Sequence, residues 1–218
     1  MIIVYVDDET SEINSFKSSI LLIDNTVTII GLKPEYTLEE TYELVIGGQE
    51  VDAVVTDYDL SDSCDVSFTG AELVKELKER QPFLSCFVLT AFEDNAVKSD
   101  SVDVYQVYSK SVLEKLDETT LEHEVSFYDR IKQQVEKNKR RLVSLTNEHR
   151  SLLQDRTTTN WTTEKESRLI ELDNLLDLHS GGNQISYALK QPQYTNKLIE
   201  LIEVTRELLN EATDDKNS

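Results

Sequence analysis

The sequence predicts an α/β fold in which a doubly wound parallel sheet carries helices on both faces, followed by an all-α region. Two observations predict this fold. Up to Lys110, short runs rich in β-branched residues alternate with amphipathic stretches, which is the pattern of parallel strands joined by crossover helices. Beyond Lys110 no further β-rich run appears, and long helical patterns take over. The chain is therefore expected to combine a sheet-containing domain with a helical region.

Five strands and four helices are expected in the first part of the chain. The β-branched runs that predict the strands lie at residues 2–6, 27–31, 53–56, 86–90 and 104–108. The helical patterns between them lie at residues 11–23, 37–46, 70–80 and 95–101. Because strands and helices alternate, the expected topology is a βα repeat.

A long helix is expected after the sheet. Thr119 and Glu122 have the spacing of a capping box, and they predict a helix that continues to about residue 154. Apolar residues along it recur at alternating steps of four and three, which makes a heptad-like seam that also contains Asn138 and His149. A helix with such a seam needs a partner. Because His149 falls on the seam, it is interpreted as a packed seam residue rather than as a residue that carries a phosphoryl group.

Two further helices are expected, at residues 163–179 and 195–212. Thr163 and Glu166 predict a capping box at the start of the first one. The outcome would be a helical bundle or hairpin, which a second copy of the chain could complete as a homodimer. The expected domains are therefore residues 1–135 and a helical output region at 136–213 that continues from them, with a disordered tail at 214–218.

The net charge of −20 belongs mainly to the first part of the chain. Residues 1–120 hold 8 Lys and Arg against 25 Asp and Glu, whereas residues 121–218 hold 14 against 17. Nucleic-acid binding needs clustered basic side chains, so no nucleic-acid partner is expected. The basic stretch at 130–141 is interpreted as a solvated helix face, or alternatively as a dock for an acidic partner.

The sequence suggests a reducing compartment and no membrane partner. Cys64 and Cys86 lack the spacing of a zinc cluster or a redox pair. The opening residues have neither the basic start of a signal peptide nor an apolar run long enough to span a bilayer. A cytoplasmic location is expected.

Polar residues follow the ends of four predicted strands. Asp7 and Asp8 follow the first strand, Asp57 ends the third, Thr90 the fourth and Lys110 the fifth. In a doubly wound sheet the ligand crevice lies outside the carboxyl ends of the strands, so these side chains are expected to converge.

Each of these residue types suits one part of a phosphoryl transfer. Three carboxylates brought together predict a site for a hard cation such as Mg²⁺. Asp57 is the candidate nucleophile, because a carboxylate can form an acyl phosphate. Lys110 supplies a cation and Thr90 a hydroxyl for the phosphoryl oxygens, so Thr90 would move inward only when that group is present.

Residues 1 to about 135 resemble the receiver domain of bacterial two-component response regulators. The motifs that carry the resemblance are VYVDDE, VVTDYDL, FTGAELVKELK, VLTAF and YSK. The resemblance implies a flavodoxin-like, five-stranded sheet of order 2-1-3-4-5. It also implies a sensor histidine kinase or a phosphotransfer protein as phosphoryl donor, and a downstream protein partner for the helical region.

The resemblance assigns a role to each strand-end residue. It implies that Asp57 is the phosphoacceptor, that Thr90 is the switch hydroxyl and that Lys110 is the lysine of the family. The implied ligands of Mg²⁺ are Asp7, Asp8, Asp57 and the backbone carbonyl of Asp59.

The fifth strand differs from the family pattern. Ser111 stands where the family usually has a proline after the lysine. The switch aromatic of the family lies three residues before the lysine, but that position is Val107, so Tyr108 and Tyr105 are the candidate switch aromatics. Strand alternation predicts that Tyr108 points to the opposite face unless a bulge shifts the register.

Two alternatives to phosphoacceptance are considered. One is a degenerate receiver that acts as a phosphorylation-independent scaffold, suggested by Ser111 and the displaced tyrosine. The other is a phosphatase similar to the haloacid dehalogenases, disfavoured because VDDET at the first strand lacks their DxDxT/V pattern. No catalysis beyond self-phosphorylation and self-dephosphorylation is expected. Because no basic DNA-binding module follows, output through protein contacts is expected.

Overall fold

The structure, a computed structural model, describes residues 1–48, 50–61, 65–91, 107–113, 126–156 and 161–179. The chain divides into two compact units, Met1–Glu148 and His149–Ser218. The predictions that lie outside the described residues concern Tyr105, the Thr119–Glu122 capping box, the helices at 95–101 and 195–212, and the tail at 214–218. The predicted division into domains after residue 135 stays a prediction.

Five parallel strands form the sheet of the first unit. They are β1 Ile2–Val6, β2 Thr28–Leu32, β3 Ala53–Asp57, β4 Ser85–Thr90 and β5 Val107–Ser109. Their order is β2-β1-β3-β4-β5, which confirms the predicted fold class and the order implied by the family resemblance. The order reverses between β1 and β3, so the switch point of the sheet lies at their carboxyl ends.

Helices cover both faces of the sheet. Their bounds are α1 Thr10–Ile23, α2 Leu38–Ile46, α3 Gly70–Arg80 and α4 Phe127–Asp155. Alternating side chains of the strands point to opposite faces, so one sheet supports two cores. The first core joins the sheet to α1 and α4, and the second joins it to α2 and α3.

The first core depends on large apolar side chains from both of its helices. Phe16 and Ile20 of α1, and Ile131 and Val135 of α4, are buried against the sheet. These α4 positions belong to the predicted seam, so the start of the seam packs on the sheet.

The helix α4 begins at Phe127, later than the start that Thr119 predicts. Ser126 caps it: its Oγ accepts a hydrogen bond from the Asp129 N–H at 3.1 Å and donates one to Asp129 Oδ2 at 2.7 Å. This reciprocal pair satisfies a backbone donor at the helix start and explains why the helix begins there.

Polar contacts join the middle of α4 to the amino-terminal edge of the sheet. The Asn138 amide donates to Ser85 Oγ at 3.0 Å. Lys139 forms an ion pair with Asp52, and the second oxygen of Asp52 accepts the Ile2 N–H at 2.7 Å. Asn138 is therefore bonded to the sheet rather than to another seam residue.

In the second unit, the end of α4 and the helix α5, Thr163–His179, form an antiparallel pair. Arg156 contacts Glu166 at 3.0 Å, and His149 lies 3.3 Å from Asp173. In these two contacts the residue number rises along one helix as it falls along the other, so the helices are antiparallel. This indicates the predicted hairpin for these residues. Leu169 is buried.

The start of α5 is shifted by one residue from the predicted cap. Thr162 Oγ1, not that of Thr163, accepts a backbone N–H of the first turn, from Lys165 at 3.3 Å. Glu166 accepts the Trp161 indole N–H at 2.6 Å instead of closing a capping box. Over the described ranges, no helix is long and apolar enough to cross a membrane.

Candidate functional site

The carboxyl ends of the strands bring together side chains that are far apart in the sequence. Asp57 is the last residue of β3, and Asp7 directly follows β1, where its N–H donates to Leu32 O at 3.1 Å and extends the ladder with β2. Lys110 directly follows β5 and opens a short 3₁₀ helix, Lys110–Leu113. Both carboxylates are buried, with Asp7 1% and Asp57 7% exposed.

The Lys110 ammonium contacts three carboxylates. It lies 2.8 Å from Asp57 Oδ1, 3.3 Å from Asp7 Oδ2 and 3.6 Å from Glu12 Oε2, which comes from the first turn of α1. We call these four residues the strand-end cluster. Three of its members were predicted from the sequence, and the structure brings them together.

Asp7 is held by two groups besides Lys110. Its Oδ1 accepts the Glu9 N–H at 2.9 Å, and its Oδ2 accepts the Tyr5 hydroxyl at 2.7 Å. The Tyr5 ring is buried and stacks on Phe16, with ring centroids 4.1 Å apart. A packed ring with a bonded hydroxyl fixes the orientation of the carboxylate.

Asp57 is positioned by the turn that follows it. Its Oδ2 accepts the Asp59 N–H at 3.0 Å, and the Tyr58 carbonyl accepts the Gly70 N–H at 2.9 Å. A Cβ at Gly70 would lie 1.9 Å from the Asp57 carbonyl oxygen and 2.7 Å from Thr56 Oγ1. Only glycine allows this approach, which explains the glycine of the FTG motif.

Burial and charge shift the protonation of the cluster. Burial raises the pKa of Asp57 to about 6, although the hydrogen bond and charge of Lys110 act in the opposite direction. Burial also disfavours the charged form of Lys110, but its contacts with Asp57 and Asp7 outweigh this and raise its pKa above the ordinary value. At neutral pH the pair is therefore mostly an ion pair.

The pKa of Tyr5 is also raised. Burial is the largest cause, followed by the negative charge of Asp7 and the hydrogen bond to it, with smaller effects from Asp57 and Glu12. The phenol therefore stays protonated and acts as a donor to Asp7.

The remaining predicted site residues lie at the same edge of the sheet. Asp8 is buried next to Asp7, and Thr90 is buried at the end of β4, opposite Ser109 of β5. Asp59 contacts Asp57 through its N–H, and its carbonyl role stays a prediction. Among the described residues, no group of three or more Asp, Glu, His or Cys side chains is arranged to hold a metal.

Tyr108 is partly buried and packs against the first core. The register of β4 and β5 pairs Val88 with Val107, Leu89 with Tyr108 and Thr90 with Ser109, so no bulge shifts this pairing. The Tyr108 ring lies 5.1 Å from that of Phe127, whereas Val107 packs against the second core. The expectation that Tyr108 points to the opposite face is confirmed, and its role as a switch stays a prediction.

Ser111 follows Lys110 within the 3₁₀ helix. Its N–H donates to Ser109 Oγ at 3.3 Å. Proline, which the family pattern has at this position, lacks that donor.

Sequence reasoning missed Tyr5 and Glu12. The signal for Tyr5 was present, because a residue two positions before Asp7 on a strand points to the same face. Glu12 follows Asp8 by four residues and lies in the first turn of the next helix, a position that can face the strand ends.

No protein-family model matches the sequence, and no curated protein matches it. Solved structures similar to it include response regulator receiver domains. A receiver domain protein from Clostridium thermocellum is 17% identical, with 63% of this chain and 96% of that chain covered and a TM-score of 0.42. Response regulator protein TrrA from Thermotoga maritima, in complex with Mg²⁺-BeF, is 18% identical, with 63% and 97% covered and a TM-score of 0.39.

Another similar structure is RcsB from Salmonella enterica serovar Typhimurium, bound to promoter rprA in the presence of phosphomimetic BeF₃⁻. It is 16% identical to this chain, with 84% of this chain and 93% of that chain covered and a TM-score of 0.42. With TM-scores below 0.5, these likenesses indicate nothing about the chemistry of this chain. The fold rests on its own strand order, and the chemistry on its own residues.

Proposed function

We propose that this chain is a response regulator-like phosphoacceptor. In the proposed reaction Asp57 takes a phosphoryl group from a sensor histidine kinase or a phosphotransfer protein, with Mg²⁺ as cofactor. The helical region then passes the signal to a protein partner. The chain would act in the cytoplasm and without nucleic acid.

The contact between Lys110 and Asp57 is the observation that supports the proposal best. A buried carboxylate at the switch point lies 2.8 Å from an ammonium group, and a second carboxylate, Asp7, lies 3.3 Å from the same ammonium. A nucleophilic carboxylate beside a cation for phosphoryl oxygens is the minimum that aspartyl phosphorylation requires.

The donor groups at the strand ends fit a magnesium ion in chemical type. Asp7, Asp8 and Asp57 supply carboxylate oxygens, and the Asp59 carbonyl supplies a neutral one, which are the ligands that Mg²⁺ prefers. Lys110 contacts one oxygen of Asp57 and one of Asp7, and each carboxylate oxygen has more than one acceptor site. When bound, Mg²⁺ would offset the negative charge of the incoming phosphoryl group.

The residues of the chain have separate tasks in the transfer. An Asp57 oxygen forms a bond to phosphorus while the bond between phosphorus and the donor imidazole breaks, and the imidazole nitrogen keeps the electron pair. Lys110 contacts a phosphoryl oxygen, and Thr90 donates its hydroxyl to another. Tyr5 and the Glu9 N–H hold Asp7 in place throughout.

The output is proposed to pass through α4. Its first turns pack on the sheet beside Tyr108, and the Arg130 guanidinium lies 5.7 Å from the centre of that ring. A change at the ends of β4 and β5 therefore meets α4 directly, and α4 continues to Asp155. The proposed partner is a protein, which can be a second copy of the chain.

Phosphorylation by a small donor tests the proposal. Wild type and Asp57→Asn are incubated with acetyl phosphate, with Mg²⁺ or with EDTA, and the mass of the intact protein is measured. We expect one added phosphoryl group only in wild type with Mg²⁺. Equal labelling of Asp57→Asn would show that Asp57 is not the acceptor.

A scaffold that works without phosphorylation is the second candidate. Ser111, which stands where the family pattern has a proline, and the packing of Tyr108 against Phe127 favour it. Calorimetric titration with MgCl₂ separates the two functions. A scaffold would bind no Mg²⁺ at millimolar concentration, whereas the phosphoacceptor would bind it and lose the binding in Asp57→Asn.

A further inference from the structure

Glu12 is the one member of the strand-end cluster to which the proposed reaction gives no task. We infer that Glu12 is a specificity-determining residue: its carboxylate keeps phosphorylation of Asp57 by small anionic donors slow. This inference rests on the proposed function of Asp57. It concerns which donor can use the site, rather than whether Asp57 accepts a phosphoryl group.

The position of Glu12 sets it apart from the other carboxylates. It comes from the first turn of α1, and its side chain is 39% exposed, whereas Asp7 and Asp57 are buried. Its Oε2 lies 3.6 Å from Lys110 Nζ. Glu12 therefore lies at the solvent-facing side of the cluster and contacts the cation that a phosphoryl oxygen would use.

Two physical effects follow from this position. The negative charge of Glu12 repels an anion that approaches Asp57 from solvent, and this repulsion grows with the charge of the donor. Glu12 also competes for the Lys110 ammonium, which cannot serve a phosphoryl oxygen fully while it is shared among three carboxylates. Both effects slow a small anionic donor.

A protein donor is affected less. Its phosphoryl group arrives as part of a surface that can carry its own cations, and these offset the negative charge of Glu12. Glu12 would thus favour phosphorylation by a docked protein over phosphorylation by free metabolite-sized acyl phosphates.

The test compares two small donors of different charge. Acetyl phosphate is a dianion at neutral pH, and its phosphoryl group moves to an Asp57 oxygen as acetate leaves with the electron pair. Phosphoramidate is a monoanion whose nitrogen is already protonated, so ammonia leaves with the electron pair. Labelling rates with Mg²⁺ are measured for wild type, Glu12→Gln and the control Glu43→Gln.

Glu43 is a matched control because it is an exposed glutamate on α2, which packs on the other face of the sheet from α1. Its substitution removes the same charge from the same unit. We expect Glu12→Gln to label roughly five- to tenfold faster than wild type with acetyl phosphate, and roughly two- to threefold faster with phosphoramidate. Glu43→Gln should label at the wild-type rate.

Salt provides a second measurement. The acceleration in Glu12→Gln should shrink at about 0.5 M NaCl, because salt screens a charge that is partly exposed. A gain that is equal for both donors and insensitive to salt would overturn the inference, since a purely structural change would act that way.

The possible failures are distinct. If wild type and Glu43→Gln label but Glu12→Gln labels no faster, the inference about Glu12 is wrong and the proposed function stands. If none of the three proteins labels with either donor, the proposed function is wrong and the inference falls with it. Labelling of Glu12→Gln alone would support both.

Discussion

Lys110 Nζ lies 2.8 Å from Asp57 Oδ1 and joins the end of β5 to the end of β3. The two residues are far apart in the sequence, and only the order of the parallel strands brings them into contact. The same ammonium reaches Asp7 at 3.3 Å, so one cation spans three strand ends. Both the chemistry and the stability of the site therefore depend on the contacts of this one ammonium group.

The charge of Asp57 is expected to lower stability at neutral pH. Burial raises its pKa to about 6, above the value of about 3.9 in an unfolded chain. The folded state thus binds this proton more tightly than the unfolded chain does. Protonated Asp57 stabilises the fold fully below about pH 4, and this stabilisation is lost as the pH rises through about 6. Without Mg²⁺, Asp57→Asn should therefore be more stable than wild type by about 1–3 kcal/mol near pH 7.5.

Urea denaturation at several pH values measures this difference. The two proteins should converge at about pH 3.5, where Asp57 is protonated in both the folded and the unfolded chain. Asp65→Asn, at an exposed position, should match wild type throughout. A difference between wild type and Asp57→Asn that does not change with pH would contradict the assigned cause.

Tyr5→Phe is expected to destabilise the first unit. The change removes the 2.7 Å hydrogen bond to Asp7 and leaves a buried carboxylate with one donor fewer, which costs about 1–3 kcal/mol. The free energy of unfolding from urea titration measures it. Tyr36→Phe makes the same change at a side chain that is 70% exposed and should be neutral; equal losses in both variants would argue against a specific role for the bond.

Gly70→Ala should displace the Asp57 turn. The added methyl group would meet the Asp57 carbonyl oxygen at 1.9 Å, so the backbone must shift, at a cost of about 1–3 kcal/mol or more. Thermal unfolding measures the cost, and the labelling rate of Asp57 reports the shift. Gly48→Ala, where no atom lies within 4 Å of the added Cβ, is the control. Similar melting temperatures for the two variants would mean that the turn tolerates the methyl group.

The amino-terminal half of α4 is expected to contribute to the stability of the first unit, against which it packs. Ile131 is fully buried against the sheet, so Ile131→Ala should cost about 2–5 kcal/mol. Val143 lies on the same helix with 59% of its surface exposed, and Val143→Ala should change stability by less than about 0.5 kcal/mol. Urea denaturation compares them. If both variants unfold at the wild-type midpoint, α4 does not stabilise the sheet.

Most of the fold could be predicted because its signals are local. Apolar runs such as 2–6 and 53–56 indicate buried strands wherever they occur, and the element that follows each one reveals the alternation. Helix starts were less certain. Thr163 has the spacing of a cap, but α5 begins after Thr162, whose neighbouring hydroxyl accepts a backbone N–H of the first turn instead.

The candidate site could be predicted only where a residue ends a strand or directly follows one. Asp7, Asp57 and Lys110 were found in this way, since parallel strands end at one edge of the sheet. Tyr5 and Glu12 were missed because one lies within a strand and the other within a helix, where most side chains have only structural roles.

The amino-acid sequence by itself determined which segments become strands and helices, and which acids, hydroxyl and amine stand at their ends, because these depend on neighbours a few residues away. Only the tertiary structure decided that Lys110 is shared among Asp57, Asp7 and Glu12, and that Tyr108 packs against Phe127. Those contacts depend on strand order, register and helix placement, and distances of a few ångströms across the sheet are set by how the whole domain packs.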